Sequence, residues 1–337
     1  MSAALDFLKR LRDDGCVRSA DARLIPLAGG VSSDIYLVHD GGDRFVVKRA
    51  LARLKVEAEW YADVARNRTE QQCLACVATI LPGAVPAVRF ANPDAGYFAM
   101  EYLGGDWANW KQLLLNGICD PAHARMAGRA LGEIHRQTEG RPELREQFDT
   151  SVSFHQLRIA PYLLTTGERH PALREAFIRE AQRLMDTREC LVHGDFSPKN
   201  ILINHQRLIV LDCEVAWYGD PSFDVAFLLN HFFLKGLYHA PRRPGLEEMI
   251  LAFWQSYCER RPTSRAIMER RIVQLLPLLM LARVDGKSPV EYLEAGRKEW
   301  VRRFVAHHLG GAGANLKMIT QDWFDRAGAL PPVEAGT

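Results

Sequence analysis

Two patterns of hydrophobic and polar residues divide the chain. Up to about residue 103, short apolar runs such as 35–38 and 45–47 alternate with polar residues, which is typical of β-strands. Glycine-rich and Asn-Pro-Asp turns separate these runs. After residue 105, apolar residues recur every three or four positions, as in helices. The pattern therefore predicts an α+β fold with a small sheet first and a mainly helical part after it.

The predicted elements follow from these patterns. In the first part we predict a helix over 1–20, three strands within 23–50, a helix over 68–80 and two strands within 87–103. In the second part we predict helices over 110–116, 121–138, 171–188, 222–235, 245–260 and 264–284, with strands only at 200–204 and 207–212. The predicted domains are an N-terminal helix (1–20), a sheet lobe (21–103), a helical lobe (104–310) and a tail (311–337) whose last residues we expect to be disordered.

Composition excludes several classes of function. The net charge of +2 is too small to indicate nucleic acid or a membrane surface as a partner. No run approaches the roughly 18 apolar residues of a membrane helix. The N-terminus lacks the apolar core of a signal peptide. Seven scattered cysteines indicate reduced thiols, and the one close pair, Cys73 and Cys76, fits a turn of a partly buried helix. We expect a cytoplasmic monomer or homodimer.

The candidate chemistry lies in HGDFSPKN, residues 193–200, and VLDCE, residues 210–214. Phosphoryl transfer needs a carboxylate to orient the acceptor hydroxyl and oxygen ligands for Mg²⁺. Asp195 and Asn200 have the offsets of the protein-kinase catalytic loop, with Gly194 in place of its arginine. Asp212 and Glu214, two apart on an extended segment, would face the same side. We therefore predict Asp195 as the catalytic residue and Asn200, Asp212 and Glu214 as Mg²⁺ ligands.

The two motifs HGDFSPKN and LDCEVAWYGDPSFDVA resemble those of the aminoglycoside phosphotransferase and choline kinase superfamily, and look most like methylthioribose-kinase-type small-molecule kinases. The resemblance covers roughly residues 22 to 305. It implies a two-lobe, protein-kinase-like fold, ATP and Mg²⁺ as cofactors, and a small molecule with a hydroxyl group as substrate. It also implies that His193 and Asp224 support the catalytic loop, although Asp220 or Ser222 fits a helix N-cap there equally well.

The resemblance further implies a nucleotide site in the sheet lobe. The loop over the phosphates would present backbone N–H groups, Lys48 would contact the α- and β-phosphates, and the connector between the lobes would pair with adenine. These assignments concern Gly29, Gly30, Ser32, Ser33, Lys48, Glu101 and Leu103.

Lys48 should also pair with a helix glutamate. Glu57, Glu59 and Glu70 compete for this role. We favour Glu70, because 68–80 is the stronger helix pattern and methylthioribose-kinase-like proteins carry extra sequence between the lysine and the glutamate. Glu59 is the second choice.

The acceptor is less well specified. Arg283, Asp285 and Lys287 lie where one helix ends and another begins, and they fit either an acceptor site or a charged turn. Trp107, Trp110 and Lys111 fit either the acceptor cleft or, for the aromatic residues, the core.

Residues 236–303 are rich in arginine, which disfavours a polycationic acceptor. We expect a neutral or mildly anionic sugar or polyol, such as a (thio)pentose, although a clear methylthioribose-kinase arginine pair is missing. An aminoglycoside or antibiotic O-phosphotransferase and a non-catalytic nucleotide-binding pseudokinase are the alternatives, and the choice between ATP and GTP stays open.

Overall fold

The computed structural model describes residues 3–27, 33–51, 65–242, 245–262, 265–309 and 315–331. It divides into two units, Met1–Trp107 and Ala108–Thr337. Some predicted features lie outside the described residues: Gly29, Gly30, Ser32, Glu57, Glu59 and residues 332–337.

The first unit contains an antiparallel sheet of five strands in the order β1-β2-β3-β5-β4. The strands are β1 (Arg23–Pro26), β2 (Ser33–Asp40), β3 (Asp43–Ala50), β4 (Val88–Asn92) and β5 (Tyr97–Glu101). In β3, Phe45 and Val47 face one side of the sheet together with Ala99 of β5. Because side chains alternate along a strand, Lys48 faces the other side.

Helix α1 (Ala3–Asp13) covers the first side of this sheet. Phe7, Leu8 and Leu11 are buried against the strands. The helix is shorter than the predicted 1–20, because Gly15 has φ +71° and the chain leaves the helix there. The N–H groups of Gly15 and Cys16 donate to the carbonyls of Arg12 and Leu11, which is a Schellman C-cap.

Helix α2 (Arg66–Ile80) packs against β3, β4 and β5. It buries Cys73, Leu74 and Val77. Cys73 and Cys76 lie on one turn of this helix, as the sequence pattern predicts. This is the helix that carries Glu70.

The second unit is mainly helical. Its helices are α3 (Trp110–Leu115), α4 (Pro121–Thr138), α5 (Pro142–Gln147), α6 (Ser151–Phe154), a π-helix (His155–Leu164), α7 (Thr165–Arg169), α8 (Arg174–Asp186), α9 (Ser222–His239), α10 (Leu246–Arg260), α11 (Arg265–Asp285), α12 (Ala295–His308) and α13 (Leu316–Gly328). Short 3₁₀ turns occupy Pro171–Leu173 and Pro198–Asn200. The six predicted helices are present with shifts of a few residues, whereas the helices of 142–169, α12 and α13 were not predicted. None of the helices in the described ranges is both long and apolar enough to cross a membrane.

The prediction of only two strands in this unit was wrong. Besides β8 (Ile201–Ile203) and β9 (Leu208–Val210), there are β6 (Ala108–Asn109), β7 (Cys190–Val192) and β10 (Trp217–Gly219). β7 pairs with β10, and β6 pairs with β8. Strands of two or three residues are too short to show the alternation by which a strand is identified. They matter because β7 and β8 fix both ends of the segment 193–200.

Helix α9 is the core of the second unit. Nearly all its residues are buried, as expected for a helix that is apolar on every side. Nearby, α4 and α10 pack closely because Gly132 has no side chain. A Cβ atom at this position would lie only 2.8 Å from the carbonyl oxygen of Tyr257.

Asp285, at the end of α11, joins three elements. Its carboxylate accepts two hydrogen bonds from Arg302 of α12, at 2.7 and 2.9 Å, and lies 2.8 Å from Nε2 of His170. Burial alone would raise the pKa of Asp285, but Arg302 and His170 outweigh burial and hold the pKa below its usual value.

We predict that Asp285→Asn destabilises the protein by about 1–3 kcal/mol, since it weakens a bidentate charge-assisted pair. The denaturant midpoint at pH 7 measures this. Because the folded-state pKa is lowered, the stabilisation is present above pH ~4 and is lost as pH falls through the folded-state pKa. The difference between wild type and variant should therefore fade in acid.

The control is Glu299→Gln, which removes a second partner of Arg302 on an exposed helix face. Surface pairs of this kind contribute under about 1 kcal/mol. Equal losses in the two variants would contradict a special role for Asp285.

Candidate active site

The segment 193–200 forms a tight loop between β7 and β8. Gly194 has φ +77°, and a Cβ atom there would lie 2.5 Å from the carbonyl oxygen of Val215. Both the backbone conformation and the space favour glycine. This explains why Gly194 replaces the arginine of the protein-kinase motif.

Asp224, in the first turn of α9, anchors this loop. Its fully buried carboxylate accepts the backbone N–H groups of His193 at 2.7 Å and Gly194 at 2.9 Å. The N-cap alternative was wrong, because the N-cap residue of α9 is Pro221; the side chain of Asp220 accepts the N–H of Ser222 at 2.8 Å. Asp220 and Asp224 therefore have separate roles, and Asp224 is the one that supports the loop.

His193 links the loop to the strand that precedes Asp212. Its Nδ1 accepts the N–H of Asp195 at 3.1 Å, so Nε2 carries the proton and donates to the carbonyl of Leu211 at 3.1 Å. Burial lowers the pKa of His193, which keeps this neutral tautomer at neutral pH. Both ring nitrogens are used in the scaffold, which is a positioning role.

Asp195 is buried and surrounded by cations. Its Oδ2 lies 3.0 Å from Nη2 of Arg158 and 2.9 Å from Nζ of Lys199. Burial alone would raise the pKa of Asp195, but Lys199 and Arg158 outweigh burial and hold the pKa below its ordinary value. Asp195 is therefore ionised at neutral pH.

Sequence reasoning missed Arg158 and Lys199. Arg158 comes from the π-helix, far from the motif in sequence, and also donates to the carbonyl of Gly194. No local pattern indicates this contact. Lys199 lies four residues after Asp195 inside the motif, and its charge close to a predicted catalytic carboxylate was a usable signal.

Asn200, Asp212 and Glu214 offer oxygen ligands near this loop. Asn200 Nδ2 donates to the carbonyl of Asp195 at 3.0 Å, which leaves the carboxamide oxygen as the atom a cation would bind. Carboxylate oxygens of Asp212 and Glu214 lie within 4.8 Å of each other. Asp212 has φ +63°, a backbone conformation that is uncommon for aspartate and concentrated at functional sites. Hard oxygen donors of this kind fit Mg²⁺.

In the first unit, Lys48 pairs with Glu70. Nζ of Lys48 lies 2.7 Å and 2.9 Å from the two carboxylate oxygens, and both side chains are almost fully buried. Asn67 of the same helix donates to the carbonyl of Lys48 at 3.2 Å. Ser33 begins β2 and is buried, Glu101 ends β5, and half-buried Leu103 follows it.

The three predicted acceptor residues do not form one cluster. Arg283 donates to Ser288 Oγ at 2.8 Å and to the hydroxyl of Tyr162 at 3.3 Å. Asp285 is held by its ion pairs with α12 and His170, and Lys287 is exposed.

The three residues that follow the predicted connector, Trp107, Trp110 and Lys111, have different surroundings. Trp110 is fully buried against Phe232, with ring centres 5.3 Å apart, and belongs to the core. Trp107 is half-buried, and Lys111 forms an ion pair with Glu291.

Comparison with known proteins identifies similar sequences. The family model described as "Phosphotransferase enzyme family" matches residues 23–267. The methylthioribose kinase of Pectobacterium atrosepticum is 27% identical over 264 residues, which cover 65% of this chain and 64% of that enzyme. The N-acetylmuramate/N-acetylglucosamine kinase of Neisseria meningitidis serogroup B is 25% identical over 183 residues, covering 51% and 52%. The chain thus spans less than two thirds of the length of these two relatives.

A solved structure, that of the microcompartment-associated aminopropanol kinase, is similar in fold. It is 18% identical, with 96% of this chain and 99% of that chain covered and a TM-score of 0.56. The predicted α+β, protein-kinase-like fold class is confirmed, and so is the resemblance on which it was based. Since the family model covers most of the sequence, this chain belongs to the phosphotransferase enzyme family.

Proposed function

We propose that this protein is an ATP- and Mg²⁺-dependent small-molecule kinase that transfers the γ-phosphate to a hydroxyl group. The observation that carries the proposal is the ionised, buried Asp195, held beside Lys199 and next to the oxygen donors of Asn200, Asp212 and Glu214. Family membership supports the same reaction class.

In this proposal Asp195 orients the acceptor hydroxyl. Its lowered pKa makes it a weak base, so it does little to remove a proton before the transition state. That suits phosphoryl transfer, in which positioning and charge neutralisation do most of the catalysis. Arg158, almost fully buried, keeps the carboxylate in place.

Lys199 has a different exposure from Arg158 and, we infer, a different role. About half of its side chain is exposed, so its ammonium group can meet a ligand without leaving Asp195. A cation beside the hydroxyl-orienting carboxylate would neutralise charge on the transferred phosphoryl group.

The proposed metal ligands are Asn200, Asp212 and Glu214. When bound, Mg²⁺ would neutralise phosphate charge and orient the phosphate oxygens. The strand β9 and the hydrogen bond from Leu211 N–H to the carbonyl of Asn200, 2.8 Å long, hold the two ligand segments side by side.

Lys48 is proposed to bind the α- and β-phosphates. A buried ion pair such as Lys48–Glu70 costs desolvation, but it fixes the ammonium group in one position. The assignments of Ser33, Glu101 and Leu103 to the nucleotide rest on the family resemblance.

For the acceptor, the names of the two relatives point to sugars, methylthioribose in one and N-acetylated amino sugars in the other. We therefore propose a sugar or polyol hydroxyl as acceptor, with a (thio)pentose as one member of this class.

No two cysteines in the described ranges form a disulfide, which supports a cytoplasmic location.

We predict that Asp195→Asn lowers kcat at least 100-fold, because the hydroxyl loses its orienting charge. ADP release in the presence of ATP, Mg²⁺ and an acceptor measures this. Nucleotide binding, followed by thermal shift, should be retained. Asp186→Asn, the same change at an exposed helix end, is the control. Unchanged turnover in Asp195→Asn would rule out this mechanism.

We predict that Asp212→Asn raises the Mg²⁺ concentration needed for half-maximal nucleotide binding at least 10-fold, since a carboxylate ligand is lost. Titration of Mg²⁺ at fixed ATP, read by thermal shift, gives this number without turnover. Asp195→Asn should keep the wild-type Mg²⁺ requirement. The assignment of Asp212 fails if the two variants respond alike.

A further inference from the structure

One face of α9 carries a buried polar cluster beyond the catalytic loop. Residues three or four apart share a helix face, so Asp224, Phe227, His231 and Lys235 follow one another along α9. Asp224 holds the catalytic loop. Lys235 lies three turns further on and is only 1% exposed.

Lys235 has no counter-ion within the described part of the chain. Among the described residues its ammonium group has no hydrogen bond or ion pair, and it lies 5.0 Å from the centre of the Tyr292 ring. Burial, together with the positive charges of Lys111 and Arg283, lowers the pKa of Lys235 to about 7. A buried ammonium group without an anionic partner is costly.

Other polar atoms around Lys235 are also unsatisfied. Tyr292 OH, His231 Nδ1 and Arg283 Nε are buried and have no hydrogen-bond partner among the described residues. Buried polar atoms are nearly always hydrogen-bonded, and exceptions often mark a site for a ligand or an ion. We call His231, Lys235, Arg283 and Tyr292 the Lys235 cluster.

Contacting side chains connect this cluster to Asp195. Arg158, paired with Asp195 at 3.0 Å, lies 5.8 Å from the Phe227 ring centre and 5.7 Å from that of Tyr162. The Phe227 and His231 ring centres are 5.4 Å apart. Lys235 follows His231 by one helical turn, roughly 6 Å along the axis.

The charge of the cluster is positive. Lys235 and Arg283 contribute cations, and Lys111 is nearby but forms an ion pair with Glu291. A positive field repels amines and attracts oxyanions. An oxyanion would give Lys235 the partner it lacks and would accept hydrogen bonds from the Tyr292 hydroxyl and His231.

We propose that the phosphate acceptor itself carries an oxyanion, a carboxylate or a phosphate, which binds Lys235 and Tyr292 while a hydroxyl of the same molecule lies at Asp195. This proposal rests on the proposed kinase function. It replaces Asp285 and Lys287 with Lys235 and Tyr292 as acceptor residues and keeps Arg283.

The test uses acceptors that share a carbon skeleton and differ in charge. The pairs are gluconate with sorbitol for a carboxylate, and ribose 5-phosphate with ribose for a phosphate; an aminoglycoside represents the polycations. We expect wild type to have the higher kcat/KM for an anionic member. In Lys235→Met this value should fall about 10- to 100-fold, the size of a charge-assisted hydrogen bond, while the value for the neutral member changes less than about 3-fold.

Lys317→Met, at an exposed position of α13, is the matched control and should behave as wild type. A preference for the neutral sugars or the aminoglycoside, or an equal loss for both members of a pair in Lys235→Met, would overturn the proposal.

Binding separates this proposal from the kinase function. Calorimetric titration of the same compounds into Asp195→Asn, with and without Lys235→Met, requires no turnover. Anion binding that depends on Lys235 but is accompanied by no ADP release in wild type would retain the anion site and reject the kinase. ADP release without any Lys235-dependent anion binding would retain the kinase function and reject the anion site. If neither anion binding nor ADP release is observed, both the anion site and the kinase function are rejected.

Stability gives an independent readout. We predict that Lys235→Met raises the thermal midpoint at pH 6–7, because it removes an unpaired buried charge. The lysine pKa is about 7 in the folded protein and ~10.4 when unfolded. Between these values the unfolded state binds more protons, so wild-type stability rises with pH. The advantage of the variant should therefore shrink toward pH 10.

The other titratable groups that act on Lys235 are Lys111, Cys119, His231, Arg283, Glu291 and Tyr292. All of them are retained in the variant, and Lys317→Met should show no such pH-dependent gain. A lower midpoint for Lys235→Met at pH 6–7 would mean that Lys235 already has a stabilising partner, and would overturn the proposal.

Discussion

The buried carboxylate of Asp224 fixes the catalytic loop to helix α9, and the geometry of the site depends on this interaction. It accepts two consecutive backbone N–H groups, those of His193 and Gly194. The left-handed backbone at Gly194 then turns the chain directly after these two groups, at the step to Asp195. Once the loop is fixed, Asp195 follows immediately, and His193 ties it to the end of the segment that carries Asp212. A single carboxylate thereby helps to set the positions of the residues proposed to orient the acceptor and to bind the metal ion.

The second organising constraint is charge. Asp195 is buried yet ionised because Arg158 and Lys199 both contact it, whereas Lys235 is buried and forms no ion pair with any described residue. The charge of Asp195 is thus balanced by the protein's own side chains, whereas that of Lys235 is not balanced by any described residue. Binding sites commonly keep such locally unfavourable features, at the expense of stability, because a ligand completes them. The contrast between Asp195 and Lys235 is therefore what supports the proposed roles, a catalytic carboxylate that the protein itself stabilises and a lysine whose partner is the ligand.

Sequence reasoning succeeded where the chemistry is local. The spacing of Asp195, Asn200 and Asp212 within two motifs indicated their proximity. The family resemblance implied a glutamate partner for Lys48, and the helix pattern over 68–80 helped to select Glu70, which the structure pairs with Lys48. It failed where tertiary packing decides. Arg158 reaches Asp195 from a π-helix that contains Pro161, a segment without a clear helical pattern. The helix α13 lies in a stretch whose glycine and proline content suggested a tail. Lys235 offered a signal that went unused, since a single lysine within an apolar helix is rarely buried without a reason.

Helix α9 also bears on how acceptor specificity can vary within one fold. Its first turn is committed to the catalytic loop through Asp224, so substitutions there would disturb catalysis for every acceptor. Three turns further on, Lys235 has no hydrogen bond or ion pair to this loop among the described residues, so its side chain can change without breaking a bond that holds Asp195. Because a helix is rigid and rises about 1.5 Å per residue, each position on this face lies at a fixed distance from Asp224 and the loop that it holds. In the proposed acceptor site, the position of Lys235 along α9 would limit both the charge and the length of a molecule whose hydroxyl group lies at Asp195.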